Sequence, residues 1–111
     1  MKETIFDQIN HIKQVADEYV GRLIDFYGSP ENDKPVLNVN PFCTKTFNGV
    51  IRIKKIIKND DGSIIYRSDE GHDFTYIELP IENMLKIAYD ISCQNGIGDM
   101  FNELFADEEV E

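Results

Sequence analysis

Between residues 5 and 26, apolar side chains recur at alternating spacings of four and three: Ile5, Ile9, Ile12, Ala16, Tyr19, Leu23 and Phe26. That period places them on one helical face and predicts a long helix over about residues 3–27. Phe6, Val15, Val20, Ile24 and Tyr27 widen the stripe to the breadth of a helix buried against a sheet or a second helix. Lys2, Glu3, Lys13, Gln14, Asp17, Glu18 and Asp25 lie mostly off it. Gly21 weakens the helix by about 1 kcal/mol relative to Ala and marks a point of close packing. Gly28-Ser29-Pro30 ends it, with glycine as the cap and proline behind.

The pattern then changes. Pro30, Pro35 and Pro41 rule out helix over residues 29–48, while Val36, Leu37, Val39 and Phe42 predict a short edge strand. A structureless loop of that length is uncommon inside a compact domain. Residues 49–58 (GVIRIKKIIK) are rich in β-branched side chains and predict a strand. Asn59-Asp60-Asp61-Gly62-Ser63 carries an Asp-Gly hairpin signal, Ser63–Ser68 returns, Asp69–Asp73 turns again, and Phe74–Leu79 (FTYIEL) predicts a third strand. A two-residue loop at Asp61-Gly62 sets Ile57 opposite Tyr66. It gathers Ile51, Ile53, Ile57, Ile64 and Tyr66 on the core face, and leaves Arg52, Lys54, Lys58 and Arg67 on the other with Val50, Ile56 and Ile65. A slip of one residue exchanges those faces.

Pro80 ends the third strand. Residues 81–94 predict a helix with Ile81, Met84, Leu85, Ala88 and Ile91 on one stripe, Glu82 in the first turn and Asn95-Gly96 at its end. Ile97-Gly98 breaks the chain. Asp99 then serves as N-cap for a short helix over about 100–106, with Met100, Phe101, Leu104 and Phe105 on its apolar side. The expected fold is α+β. A long N-terminal helix, a three- or four-stranded antiparallel meander sheet, a C-terminal helix and a short helix form one domain over residues 1–106, with the helices on one sheet face. The acidic tail 107–111 is expected to fray. No repeat, low-complexity tract or linker divides the chain.

Composition fits this picture. The chain has 111 residues, 41% of them hydrophobic, including seven Phe and five Tyr. That suffices for a core without metal or disulfide staples. Cys43 and Cys93 form no C-x-x-C pair. Met1-Lys2-Glu3-Thr4 lacks a basic segment leading into an apolar run, and no stretch approaches the roughly 18 apolar residues of a membrane span. The expectation is a cytoplasmic protein with free thiols and no membrane contact.

Charge alters the functional reading. The net charge is −10, but residues 1–47 carry −2, residues 48–68 carry +3, and residues 69–111 carry −11 with Lys86 as their one cation. Such an acidic third repels phosphates, which opposes direct nucleic-acid binding and favours a basic protein partner.

Catalytic and metal chemistry find little support. His72 stands beside Asp69, Glu70 and Asp73, but without the ligand offsets of a calcium loop it reads as a polar turn. His11 lies alone in the first helix. Cys93 sits late on a helix, where the dipole disfavours a thiolate, and Cys43 lies in the proline-rich segment near Lys45. The acidic pairs Asp17-Glu18, Asp60-Asp61 and Asp69-Glu70 fall on a solvated face or in turns. Phosphate-cradling glycine loops and hydrolase motifs are absent from the sequence. No catalytic residue, metal site or cofactor is assigned.

Two surfaces remain. Arg52, Lys54, Lys58 and Arg67, interleaved with Phe74 and Tyr76, form a basic strand face of the kind that stacks single-stranded bases. The acidic C-terminal third offers Asp99, Phe101, Glu103, Leu104, Phe105, Asp107, Glu108 and Glu109. Its short helix either docks in a partner's groove or folds back over its own core. The leading expectation is a non-enzymatic intracellular protein-interaction module with an acidic surface, in its sharper form an inhibitor that mimics nucleic-acid charge. In element order and acidity the chain is similar to small phage-encoded inhibitors of bacterial defence systems, a likeness at the level of fold alone. The alternatives are a homodimer built on the first helix's stripe and a nucleic-acid binder using the basic hairpin.

Overall fold

Thr4 opens the first helix, α1 (Ile5–Tyr27), through a capping box: its hydroxyl accepts from the Asp7 backbone N–H at 3.0 Å, and the Asp7 carboxylate accepts from the Thr4 N–H. The computed structural model describes residues 4–46 and 49–105. At the far end of α1, Gly28 has φ −72°, so a left-handed backbone is not what requires glycine there. Space requires it: a Cβ would lie 2.6 Å from the Ile24 carbonyl oxygen.

Five antiparallel strands follow in spatial order β1 to β5: β1 (Ser29–Glu31), β2 (Lys34–Thr46), β3 (Gly49–Lys58), β4 (Ile64–Ser68) and β5 (Asp73–Phe74). The sheet thus has one strand more than the largest number expected. Asn32 and Asp33, at φ 53° and 66°, make a tight two-residue turn between β1 and β2. The short edge strand expected near Val36 is instead a strand of 13 residues lying second in the sheet. Pro30 and Pro35 face each other in the β1–β2 register.

The slip of one residue occurs. The Asn59 N–H donates to the Ser63 carbonyl at 2.9 Å and closes a three-residue loop, 60–62, with Gly62 at φ 90°, so Lys58 pairs with Ile64, Ile57 with Ile65 and Ile56 with Tyr66. A bulge between Ile53 and Lys55 also shifts the pleat. Ile53, Ile64 and Tyr66 point into the core as expected, but Ile56 takes the place assigned to Ile57, which with Val36 and Ile65 floors the opposite face. The expected third strand is cut to two residues. Glu78 draws the chain into a turn, its carboxylate accepting from the Thr75 N–H at 2.8 Å, and the Lys13 ammonium donates to the Ile77 carbonyl at 3.0 Å. The turn carries Leu79 into the core.

Helices α2 (Ile81–Gln94) and α3 (Gly98–Phe105) complete the fold, and all three helices lie on one sheet face. Since α3 starts at Gly98, Asp99 falls in its first turn rather than capping it. The middle of the α1 stripe (Ile12, Ala16, Tyr19, Leu23) is buried inside the chain's own core, so the stripe as a whole is not available as a dimer seam. Its ends overrun the core: Ile5 is 74% exposed and Phe26 82%. Among the described residues no helix is long and apolar enough to cross a membrane.

Candidate functional site

The basic face does not assemble. Register places Arg52 and Arg67 on the open sheet face, while the bulge turns Lys58 towards the helices, where its ammonium meets the Asp25 carboxylate of α1 at 2.8 Å. Arg67 pairs with Asp73 through Nε at 2.7 Å and Nη2 at 3.2 Å, and this pairing raises the guanidinium pKa and lowers that of the carboxyl. Arg52 approaches Asp69 at 3.5 Å. Lys55, which the sequence did not single out, bonds Glu31 at 2.6 Å. Lys54 sits exposed at the bulge. Phe74 and Tyr76 pack against the core instead of rising among the cations, because Phe74 pairs with inward-facing Tyr66. The open face thus carries paired, mixed charge and no stacking platform from these two rings.

The C-terminal helix folds back, and Tyr19 explains how. Its hydroxyl lies 2.6 Å from Ser92 Oγ, and Ser92 Oγ donates to the Ala88 carbonyl at 2.8 Å. The Ser92 proton being so engaged, Tyr19 is the donor of the first bond. This buried chain fixes the Tyr19 ring, and α3 packs on it. Phe105 meets Tyr19 edge-on at 5.8 Å, Phe101 lies 4.6 Å from Phe105, and Tyr89 closes on Phe101 at 5.3 Å. Phe105 is buried in the chain's own core and Phe101 is half-buried against it. Asp99, Glu103 and Leu104 remain exposed. Asp107, Glu108 and Glu109 lie outside the described residues.

Folding back creates a groove between the end of α1 and α3, about 400 Å³ in volume, lined by Tyr19, Arg22, Leu23, Phe26, Tyr27, Ile97, Met100 and Leu104. Helical spacing explains its composition. Met100 and Leu104 share one stripe of α3 with Ile97 just before its first turn, Phe101 and Phe105 take the neighbouring inward stripe, and Asp99 and Glu103 the outward one. The groove therefore has an apolar floor and an acidic border on the α3 side. Asp99 and Glu103 make no ion pair among the described residues. The sequence pattern assigns Phe26, Tyr27 and Met100 to apolar helix faces and Ile97 to a helix break. The missing signal was length: at about 1.5 Å per residue, the 23-residue α1 outruns what the sheet and α2 can cover.

One half-buried acid lies elsewhere. Tyr66, fully buried, donates to the Asp17 carboxylate at 2.7 Å. Burial raises the Asp17 pKa and Glu18 adds to it, against the Tyr66 bond. The Tyr66 pKa is raised well above normal, first by burial and then by Asp17. This contact ties β4 to α1, and Asp17 lines an open recess of about 300 Å³ with Glu18, Arg22 and Lys58, whose ammonium is paired with Asp25. Cys43 and Cys93 are exposed free thiols. Among the described residues no three histidine, cysteine or carboxylate side chains converge as a metal site. Compared with protein-family models, curated proteins and solved structures, the chain matches none of them.

Proposed function

We propose that this chain is a non-enzymatic protein-interaction module whose acidic C-terminal third engages a basic surface on another protein. The segregation of its charge supports this reading. Arg52, Lys55, Lys58 and Arg67 are engaged by Asp69, Glu31, Asp25 and Asp73, whereas Asp99 and Glu103 stand exposed without cations of their own among the described residues. A net charge of −10 then makes the outward field negative, which steers a cationic partner in and turns nucleic acid away. In its sharper form the partner is a nucleic-acid-binding protein, and the acidic face occupies its phosphate-binding surface.

Fluorescence anisotropy tests the reading with two labelled probes, a lysine-rich peptide and a single-stranded oligonucleotide, at low and high salt. The peptide binds and is released as salt rises, and the oligonucleotide does not bind. Oligonucleotide binding that is lost on Arg52→Ala and Arg67→Ala would return the function to the basic hairpin.

A further inference from the structure

From the groove between α1 and α3 we infer a more specific ligand: an amphipathic helix of the partner protein, with bulky apolar side chains on one face and lysine or arginine beside them. The inference rests on the acidic-face reading and names what that face holds. Phe26 is 82% exposed, Met100 53%, and Tyr27 and Leu104 each 41%, and unlike the exposed Ile5, Phe6, Val50 and Ile77 these four line a common groove. These four side chains share one recess with the buried side chains of Tyr19 and Leu23 at its base. A recess of about 400 Å³ lies within the roughly 300–1,000 Å³ of pockets that enclose ligands. Its two walls are helices, so a third helix can lay side chains at i, i+3, i+4 and i+7 along it.

Charge selects among occupants. By helical spacing, exposed Asp99 and Glu103 lie on the α3 stripe next to Met100 and Leu104, outside the lining itself, while Glu18 on α1 belongs to a separate recess. A second copy of this chain would bring the same carboxylates against these, and two chains of net charge −10 repel before they meet. A helix with cations flanking its apolar face satisfies both floor and border. It places apolar anchors against Phe26, Met100 and Leu104 while its lysines reach Asp99 and Glu103. Arg22, the one cation in the lining, can donate to a carboxylate at the edge of the ligand helix.

The test uses the full chain and two synthetic peptides of identical leucine and lysine composition. One has its leucines at helical spacing; the other alternates leucine and lysine and forms no amphipathic helix. Titration calorimetry is run on the natural chain, on Phe26→Ser and on Met100→Ser with Leu104→Ser. All these sites are exposed, and thermal melts confirm that the variants fold. The helical peptide binds the natural chain more tightly than its shuffled counterpart, and either variant weakens it about tenfold or more, as expected for loss of an interface anchor. Equal, salt-sensitive binding of both peptides, unchanged in the variants, would overturn the groove while leaving the acidic-face reading intact. Binding of neither peptide would remove both. Light scattering that shows a dimer of this 12.8 kDa chain, dissolved by Phe26→Ser, would assign the groove to a second copy and overturn the inference.

Discussion

Phe105→Ala separates the two roles that the last helix could have. The Phe105 ring is 5% exposed and held between Tyr19 at 5.8 Å and Phe101 at 4.6 Å. Truncating a buried phenylalanine to alanine costs about 3–5 kcal/mol, combining lost transfer energy with the cavity left behind. Phe105 is the last residue of α3, and a helix end relaxes more readily than its middle, so the lower end of that range applies, about 3 kcal/mol. For a domain of this size that loss lowers Tm by about 12 °C or more. Leu104, its neighbour in sequence, is 41% exposed on the groove side. Leu104→Ala then costs under about 1 kcal/mol, in keeping with a substitution away from the core. Urea unfolding followed by circular dichroism measures both, with the slope checked for constancy. The reasoning fails if Phe105→Ala costs less than about 1 kcal/mol, or if Leu104→Ala costs as much as Phe105→Ala. Either result would mean that α3 does not cap the core through its aromatic stripe.

Asp17→Asn keeps an oxygen for the Tyr66 hydroxyl and removes a half-buried charge. The Asp17 pKa is raised in the fold, so the natural chain is free of the penalty below the unfolded carboxyl pKa and bears it as pH rises through the folded value. The variant therefore gains stability relative to the natural chain between about pH 3 and pH 7, and melts across that range that show a constant difference would contradict this. Tyr66→Phe, which strips the carboxylate of its donor, costs about 1–3 kcal/mol in the same melts. Gly28→Ala forces a Cβ to within 2.6 Å of the Ile24 oxygen, and chemical unfolding is expected to register about 1–3 kcal/mol of loss. Lys13→Met removes a buried ammonium whose pKa burial lowers, so global stability at neutral pH holds or rises, while amide exchange over residues 75–79 quickens once the bond to Ile77 is gone.

The periodic elements were legible because one physical rule governs each. The 3.6-residue period gave α1 to within two residues at its start, and proline and Asn-Gly bounded α2 at its observed ends. Where two rules competed, the weaker signal lost. Asn32-Asp33 lacks the glycine that normally announces a tight hairpin turn, so β1 and the full length of β2 were hidden. Asp61-Gly62 announced a hairpin correctly but not its width, and the three-residue loop moved the register by one. The bulge at Lys54 then exchanged Ile56 with Ile57 and carried Lys58 to the helix side, where it met Asp25. That exchange dispersed the basic patch, because ion pairs between distant strands and helices leave no local mark in a sequence. Phe74–Leu79 had strand composition, yet Glu78 and Lys13 together bend it into a turn. The acidic third was legible in its charge; the groove was not, since it depends on how far α1 outreaches the sheet.

Amide chemical-shift mapping of the full chain with a lysine-rich peptide reaches the central claim most directly, because it locates the contact residue by residue. The account predicts salt-sensitive shifts concentrated on Asp99, Met100, Glu103 and Leu104 of α3 and on Phe26 and Tyr27 at the end of α1. Shifts centred instead on Glu31, Lys55, Arg67 and Asp73 of the open sheet face, or no shifts at low salt, would contradict it.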